Sequence, residues 1–193
     1  MTLTRTRVAA VLALLAGLGV LYLILARTVH APPEALANLK AEAARPAPAV
    51  TFTDAAGTRH SLTEFRGRYV LLNLWGTWCA PCARELPALA RLSRALPNQL
   101  TVIAVALPPG DASEAEAFLA QHDAAALRPY VDSQTMFFRA FRAYALPLTV
   151  LIDPKGNEIA RAVGPAQWDA PAAISYLKSQ IQKSYGDRGL GLI

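Results

Sequence analysis

The chain has 193 residues, 53% of them hydrophobic, and a formal net charge of +5. That length suits one domain with appendages rather than an array of domains, and the apolar fraction is higher than a purely soluble domain of this size needs. The basic charge does not single out nucleic acid: the arginines are scattered and no basic run is interleaved with aromatics, a balance that instead suits a surface held beside an anionic membrane.

The excess of apolar residues has one address. Val8 to Ala26 is an uncharged run of about nineteen residues, roughly 28 Å as a helix and close to the hydrocarbon thickness of a bilayer. It reads as a transmembrane anchor. Arg5 and Arg7 precede it and only Arg27 follows closely, so residues 1–7 read as a short cytoplasmic N-terminus and everything after Arg27 as exported. A cleaved signal peptide ending near Val29-His-Ala31 is the rival reading, although the apolar stretch exceeds the usual length of one. Residues 27–48 are rich in alanine, with prolines at both ends. They read as a stalk of low order, because an isolated helix as short as Glu34 to Ala44 is marginal in water.

From residue 49 the punctuation becomes regular. Val50 to Thr53, a turn at Asp54 to Gly57, and Thr58 to Ser61 predict a small hairpin. Tyr69 to Trp75 is a nearly continuous apolar run, as expected of a strand covered on both faces. A helix starting near Cys79 carries Leu86, Leu89, Ala90, Leu92 and Leu96 at helical spacing and stops at Pro97-Asn98. Next come a buried strand at Leu100 to Ala106, a helix at Ala112 to His122, a short strand at Arg128 to Val131 and a helix at Gln134 to Tyr144. An antiparallel hairpin follows, Leu148 to Ile152 and Glu158 to Val163 around the turn Asp153-Pro-Lys-Gly156. Ala170 to Lys183 closes as a helix with Ile174, Leu177 and Ile181 on one face, and residues 184–193 read as a loose tail. The order predicts an α/β domain over residues 49–183, with a mixed sheet and helices on both sides.

The chemistry is concentrated in Trp75-Gly-Thr-Trp-Cys79-Ala-Pro-Cys82-Ala-Arg-Glu85-Leu-Pro87, which contains the only two cysteines. The pair stands where a strand pattern gives way to a helical one. That puts Cys79 at the mouth of a helix, where unpaired N–H groups and the helix dipole favour an anion, so its thiol is expected to ionise readily. Cys82, one turn inward, is placed to resolve a mixed disulfide formed by Cys79. Pro81 is well tolerated at a helix start. Glu85 lies three residues after Cys82 and can share its helix face. A desolvated acid there can exchange a proton with Cys82, whereas a solvated glutamate does nothing of the kind. His30, His60 and His122 are too scattered for a zinc site.

With this motif and this order of elements, the chain resembles the membrane-anchored thioredoxin-like thiol:disulfide reductases, the TlpA, ResA and CcmG (DsbE) group. The resemblance covers roughly Pro48 to Lys183, and Gly164-Pro-Ala-Gln-Trp168 and the region of Ala117-Phe-Leu are most similar to TlpA. It implies a thioredoxin-like fold behind the anchor, and a protein-disulfide reductase with no bound cofactor or metal. The redox group is then the Cys79–Cys82 disulfide. The family's location is the bacterial inner membrane with the domain in the periplasm, re-reduced by a conduit of DsbD or CcdA type. Its substrates imply, as partners, a Sco-type copper chaperone or the copper subunit of cytochrome oxidase, or alternatively apocytochrome c.

Residue by residue, Trp78 resembles the tryptophan that caps the cysteine pair, while Trp75 matches a strand-end aromatic and reads as core. Glu85 resembles a functional carboxylate and Pro87 a helix-kinking proline. Leu146-Pro147 resembles the cis-proline loop that, with Trp78 and Pro81, docks the partner. The chain departs from the family at Leu148, where threonine usually follows that proline, and Asn73 stands where cytoplasmic thioredoxins hold a buried aspartate. Sequence leaves the redox direction open, since CxxC pairs range from strong reductants to strong oxidants. A Cu(I) carrier is a further alternative, because two thiolates suit that ion; the CxxC spacing and the lack of any histidine after His122 count against it.

Overall fold

The computed structural model describes residues 9–10, 12–19 and 34–189, and the chain divides into two units, residues 1–31 and 32–193. In the first unit the described residues are helical, with Leu12, Leu14, Leu15 and Leu18 exposed. Among the described residues no helix is long and apolar enough to cross a membrane. Of the expected span Val8 to Ala26, residues 8, 11 and 20–26 lie outside the described residues, as do residues 1–7 and 27–33.

The second unit is built on one eight-stranded sheet of order β1-β8-β7-β4-β5-β6-β2-β3. The strands are β1 (Leu39–Pro46), β2 (Thr51–Asp54), β3 (Arg59–Ser61), β4 (Tyr69–Trp75), β5 (Leu100–Ala106), β6 (Tyr130–Val131), β7 (Leu148–Ile152) and β8 (Asn157–Val163). The helices are α1 (Ala80–Ala95), α2 (Ala112–Gln121), α3 (Met136–Ala140) and α4 (Pro171–Gly189). β4 is central, parallel to β5 and antiparallel to β7, and all seven of its residues are buried. Alternation along it divides the core in two. Tyr69, Leu71 and Trp75 join the apolar faces of α1, α2 and α4 in one cluster, while Val70, Leu72 and Leu74 join Phe52, Phe137 and Phe141 in the other. This is the mixed sheet with helices on both faces that the element order predicts.

The segment expected to be a low-order stalk is structured from Glu34 onward. Glu34–Leu36 is a 3-10 turn and Leu39–Pro46 is an edge strand antiparallel to β8. Two side chains supply the burial that the alanine-rich composition hides: Leu36 and Leu39 both enter the α1-side core. Polar ties complete the attachment. Asn38 Nδ2 donates to Val163 O at 3.2 Å and Gly164 O at 2.8 Å, and Arg45 and Arg161 both pair with the buried Glu158, at 3.0 and 2.7 Å. Helix propensity is a weak preference that pairing with an open sheet edge overrides.

Two helix boundaries also differ from the sequence reading. The helix expected over Gln134 to Tyr144 is only five residues long, bracketed by Thr135 and Arg142 in left-handed backbone conformations. At the other end α4 continues to Gly189, so most of the expected loose tail is helical.

Candidate functional site

β4 ends at Trp75 and α1 begins at Ala80, with Cys79 as the N-cap of the helix. Cys79 and Cys82 form a disulfide with Cα atoms 5.3 Å apart. The Cys82 N–H donates to Cys79 Sγ at 3.3 Å, the bond a capping side chain makes to the third helical residue. Cys82 is fully buried and Cys79 retains 5% exposure, so an incoming group meets Cys79 first. Pro81 occupies the second helical position, where no N–H is required. Pro87 lies inside α1, which continues past it to Ala95.

Trp78 is 57% exposed, the most exposed tryptophan of the chain. Its ring folds back over Gly76, where a Cβ would stand 2.8 Å from Cε2, and its Nε1 donates to Pro108 O at 3.2 Å. Gly76 and Pro108 therefore set the indole's pose, and neither was singled out by the sequence reading. Trp75 is core: fully buried, with its ring 5.5 Å from Phe118.

Glu85 is not a solvated glutamate. It is 2% exposed, and three N–H groups converge on its carboxylate. Asn73 Nδ2 donates to Oε1 at 2.7 Å; Ala166 N and Trp168 Nε1 donate to Oε2 at 3.1 and 3.2 Å. Burial pushes the carboxyl up to about 7, opposed by the bonds from Trp168, Ala166 and Asn73. Its proton is thus exchangeable near neutrality. The Gly164-to-Trp168 segment, picked out in the sequence only for its resemblance, is what covers this acid. Asn73 itself lies opposite Thr149 across the β4–β7 ladder and donates to Thr149 Oγ1 at 2.9 Å. Alternation on β4 carries the signal for this pair, since residue 73 shares a face with Leu71 and Trp75, toward α1.

The Leu146–Pro147 peptide is cis, as expected, and Pro108–Pro109 is cis as well. Leu146 packs against the cluster that contains both cysteines, and Gly164 N donates to Pro147 O at 2.9 Å. One loop therefore joins the cis-proline turn to the lid over Glu85. Leu148 is fully buried in the α3-side core, so the departure from threonine there alters packing and leaves no side chain at the surface. His60 pairs with Asp54 and Glu64 in the β2–β3 region and His122 stacks on Phe118. Among the described residues no group of three or more His, Cys, Asp or Glu side chains is placed to hold a metal ion.

A disulfide capping a helix, with a buried acid one turn on and a cis-proline turn whose Leu146 packs on the cluster holding both cysteines, defines a thioredoxin-like redox site. The chain belongs to the redoxin family, whose model matches residues 42–180. It is 34% identical over 111 residues to the thiol-disulfide oxidoreductase ResA of Geobacillus kaustophilus, covering 58% of this chain and 63% of that one. It is 30% identical over 130 residues to ResA of Bacillus cereus, covering 65% of this chain and 72% of that one. The chain thus spans a little under two thirds of the first of these relatives. Among solved structures, a candidate thiol:disulfide interchange protein DsbE from Chlorobium tepidum superposes with a TM-score of 0.61 at 25% identity, over 75% of this chain and 99% of that one.

Proposed function

We propose that this protein is a thiol:disulfide oxidoreductase, anchored in the bacterial inner membrane with its domain in the periplasm, that reduces disulfides of partner proteins in respiratory cytochrome assembly. The observation that carries the redox part is the Cys79–Cys82 disulfide at the start of α1 with Glu85 buried behind it. The names of the ResA relatives and of the DsbE-type structure support the same chemistry. The apolar run Val8 to Ala26 with Arg5 and Arg7 before it supports the anchor and its orientation.

In the reduced protein, Cys79 thiolate attacks one sulfur of a partner disulfide, and the partner's other sulfur leaves as a thiolate. Glu85 takes the proton of Cys82, whose thiolate then attacks Cys79 Sγ and releases the second partner sulfur. Two electrons pass to the partner, which leaves as a dithiol, and the protein leaves as the disulfide. Trp78, Pro81, Leu146 and Pro147 form the docking surface around Cys79. A membrane conduit of DsbD or CcdA type restores the dithiol. The preferred substrates are a Sco-type copper chaperone or the oxidase copper subunit, with apocytochrome c as the second candidate.

Cys82→Ser tests this directly. The variant should accumulate a mixed disulfide through Cys79, and the captured partner identifies the branch. A reduced wild-type protein that leaves protein disulfides intact while binding Cu(I) tightly through both thiolates would refute the assignment in favour of a copper carrier.

A further inference from the structure

Among the described residues two buried side-chain polar atoms have no partner, Trp75 Nε1 and an atom of Asn73, and of these two residues only Asn73 is bonded to Glu85. Asn73 is fully buried, as is Thr149 opposite it on β7. Its Nδ2 donates to Glu85 Oε1 and to Thr149 Oγ1, so both amide hydrogens are used, whereas Oδ1 is buried with no partner. A buried acceptor without a donor is costly, and such an atom calls for another state of the site that uses it.

That state is a protonated Glu85. The three groups bonded to the carboxyl are all N–H donors, which suits a carboxylate and leaves an acid O–H with no acceptor. Oε2 already accepts two of these bonds, so the proton belongs on Oε1, the oxygen facing Asn73. Half a turn of the Asn73 carboxamide brings Oδ1 to the place Nδ2 holds now. There it accepts from the Oε1 hydroxyl and from the hydroxyl of Thr149, while Nδ2 gives up both of its present bonds and moves to the place Oδ1 leaves.

We propose that Asn73, braced by Thr149, is a two-position amide switch that positions the Glu85 proton, turning its N–H to the carboxylate and its C=O to the acid. The inference rests on the reading of Glu85 as the base for Cys82. In that step the Cys82 S–H bond breaks and the Glu85 Oε1–H bond forms, with no electron transferred until the Cys82 thiolate attacks. Asn73 is thus a positioning residue. The other titratable or charged groups around Glu85 are Cys82, one turn back on α1, and Glu34 and Arg84. These last two share with Glu85 an open groove of about 420 Å³ that Ala35 and Pro165 to Gln167 also line.

The test follows the Glu85 carboxyl by 13C NMR and the Asn73 side-chain amide by 15N NMR in the full-length oxidised protein, where no thiol titrates. Both signals should change with one shared midpoint. Asn73→Leu, which removes the donor, should raise the Glu85 midpoint by at least about one pH unit, roughly tenfold in proton affinity. Asn73→Asp, nearly the same size, should also raise it through like-charge repulsion. Asn73 amide signals that ignore the Glu85 titration overturn the switch, as does an unmoved Glu85 midpoint in Asn73→Leu or, should that variant not fold, in Asn73→Asp. A cysteine-exchange pH profile left unchanged by Glu85→Gln, with the Asn73 amide still tracking Glu85 in the wild type, refutes the base reading and leaves the switch in place.

Discussion

Glu85→Gln should flatten the dependence of stability on pH. In the folded protein the carboxyl is raised from 4.5 to about 7 because burial penalises the charge more than three N–H bonds reward it. A raised acid binds its proton more tightly in the folded than in the unfolded chain, so its contribution is fully present below about pH 4.5 and is lost as pH rises through about 7. A difference of about 2.5 pH units corresponds to about 3 kcal/mol, and Glu85 is too buried for solvent to screen much of it. The wild type should therefore be about 3 kcal/mol less stable at pH 8 than at pH 4.5 from this group alone.

Glutamine removes the charge and keeps an oxygen for Ala166 and Trp168, while its N–H finds the vacant Asn73 Oδ1 after the amide turns. Urea melts of the oxidised protein at pH 5, 6, 7 and 8 should show wild type and variant converging at low pH. At pH 8 they should diverge by up to about 3 kcal/mol, a Tm difference of roughly 6 to 12 °C for a chain of this size. His60 adds a slope of the same sign, because its bonds to Glu64 and Asp54 raise its pKa and that stabilisation fades as pH climbs above its unfolded value of 6.5. It is present in both proteins and cancels in their difference. Parallel curves for the two proteins would show that Glu85 is ionised at low pH and would refute the reasoning.

Other perturbations act on single contacts. Trp168→Phe deletes one of the three donors to Glu85 and puts a smaller phenyl ring in place of the buried indole, so the Glu85 midpoint should rise by about one unit, read by carboxyl 13C NMR. Gly76→Ala places a Cβ 2.8 Å from the Trp78 ring. The indole must move off Pro108, and kcat/KM toward a protein disulfide should fall roughly three- to tenfold with stability nearly unchanged, as kinetics and melting together will show. Asp132 is buried and accepts from Phe137 N at 2.7 Å at the start of α3; Asp132→Ala should cost about 1 to 2 kcal/mol in a denaturant melt.

The sequence carries the fold because its signals are local. The apolar runs of β4, β5 and β7 end within one residue of where the strands end, since a doubly covered strand tolerates no polar residue without a partner, and Asn73 has two. The redox pair was legible for the same reason: two cysteines, a strand end and a helix start lie within a dozen residues. What escaped reading is non-local. Leu36 and Leu39 look like incidental apolar residues in a spacer until β8, more than 110 positions away, offers an edge. Likewise nothing near Asn73 in the chain shows that Thr149 faces it, or that a loop at 164–168 will close over Glu85.

Those distant contacts bear on why an acid that weakens the fold stands at this place. Glu85 is bonded through Asn73 to the centre of the sheet and through Ala166 and Trp168 to a loop that also holds the cis-proline turn at Pro147. A hydrophobic residue would pack at least as well and would remove the ionisation cost. It would also leave Trp168 Nε1 and Ala166 N without an acceptor, and on the mechanism proposed above it would deprive Cys82, buried among apolar side chains, of its base. Full desolvation holds a thiol in its unreactive form, so a buried resolving cysteine needs a proton acceptor that is itself buried and itself close to neutrality. An acid held at about 7 by opposed burial and hydrogen bonding meets that need, and a freely solvated one does not.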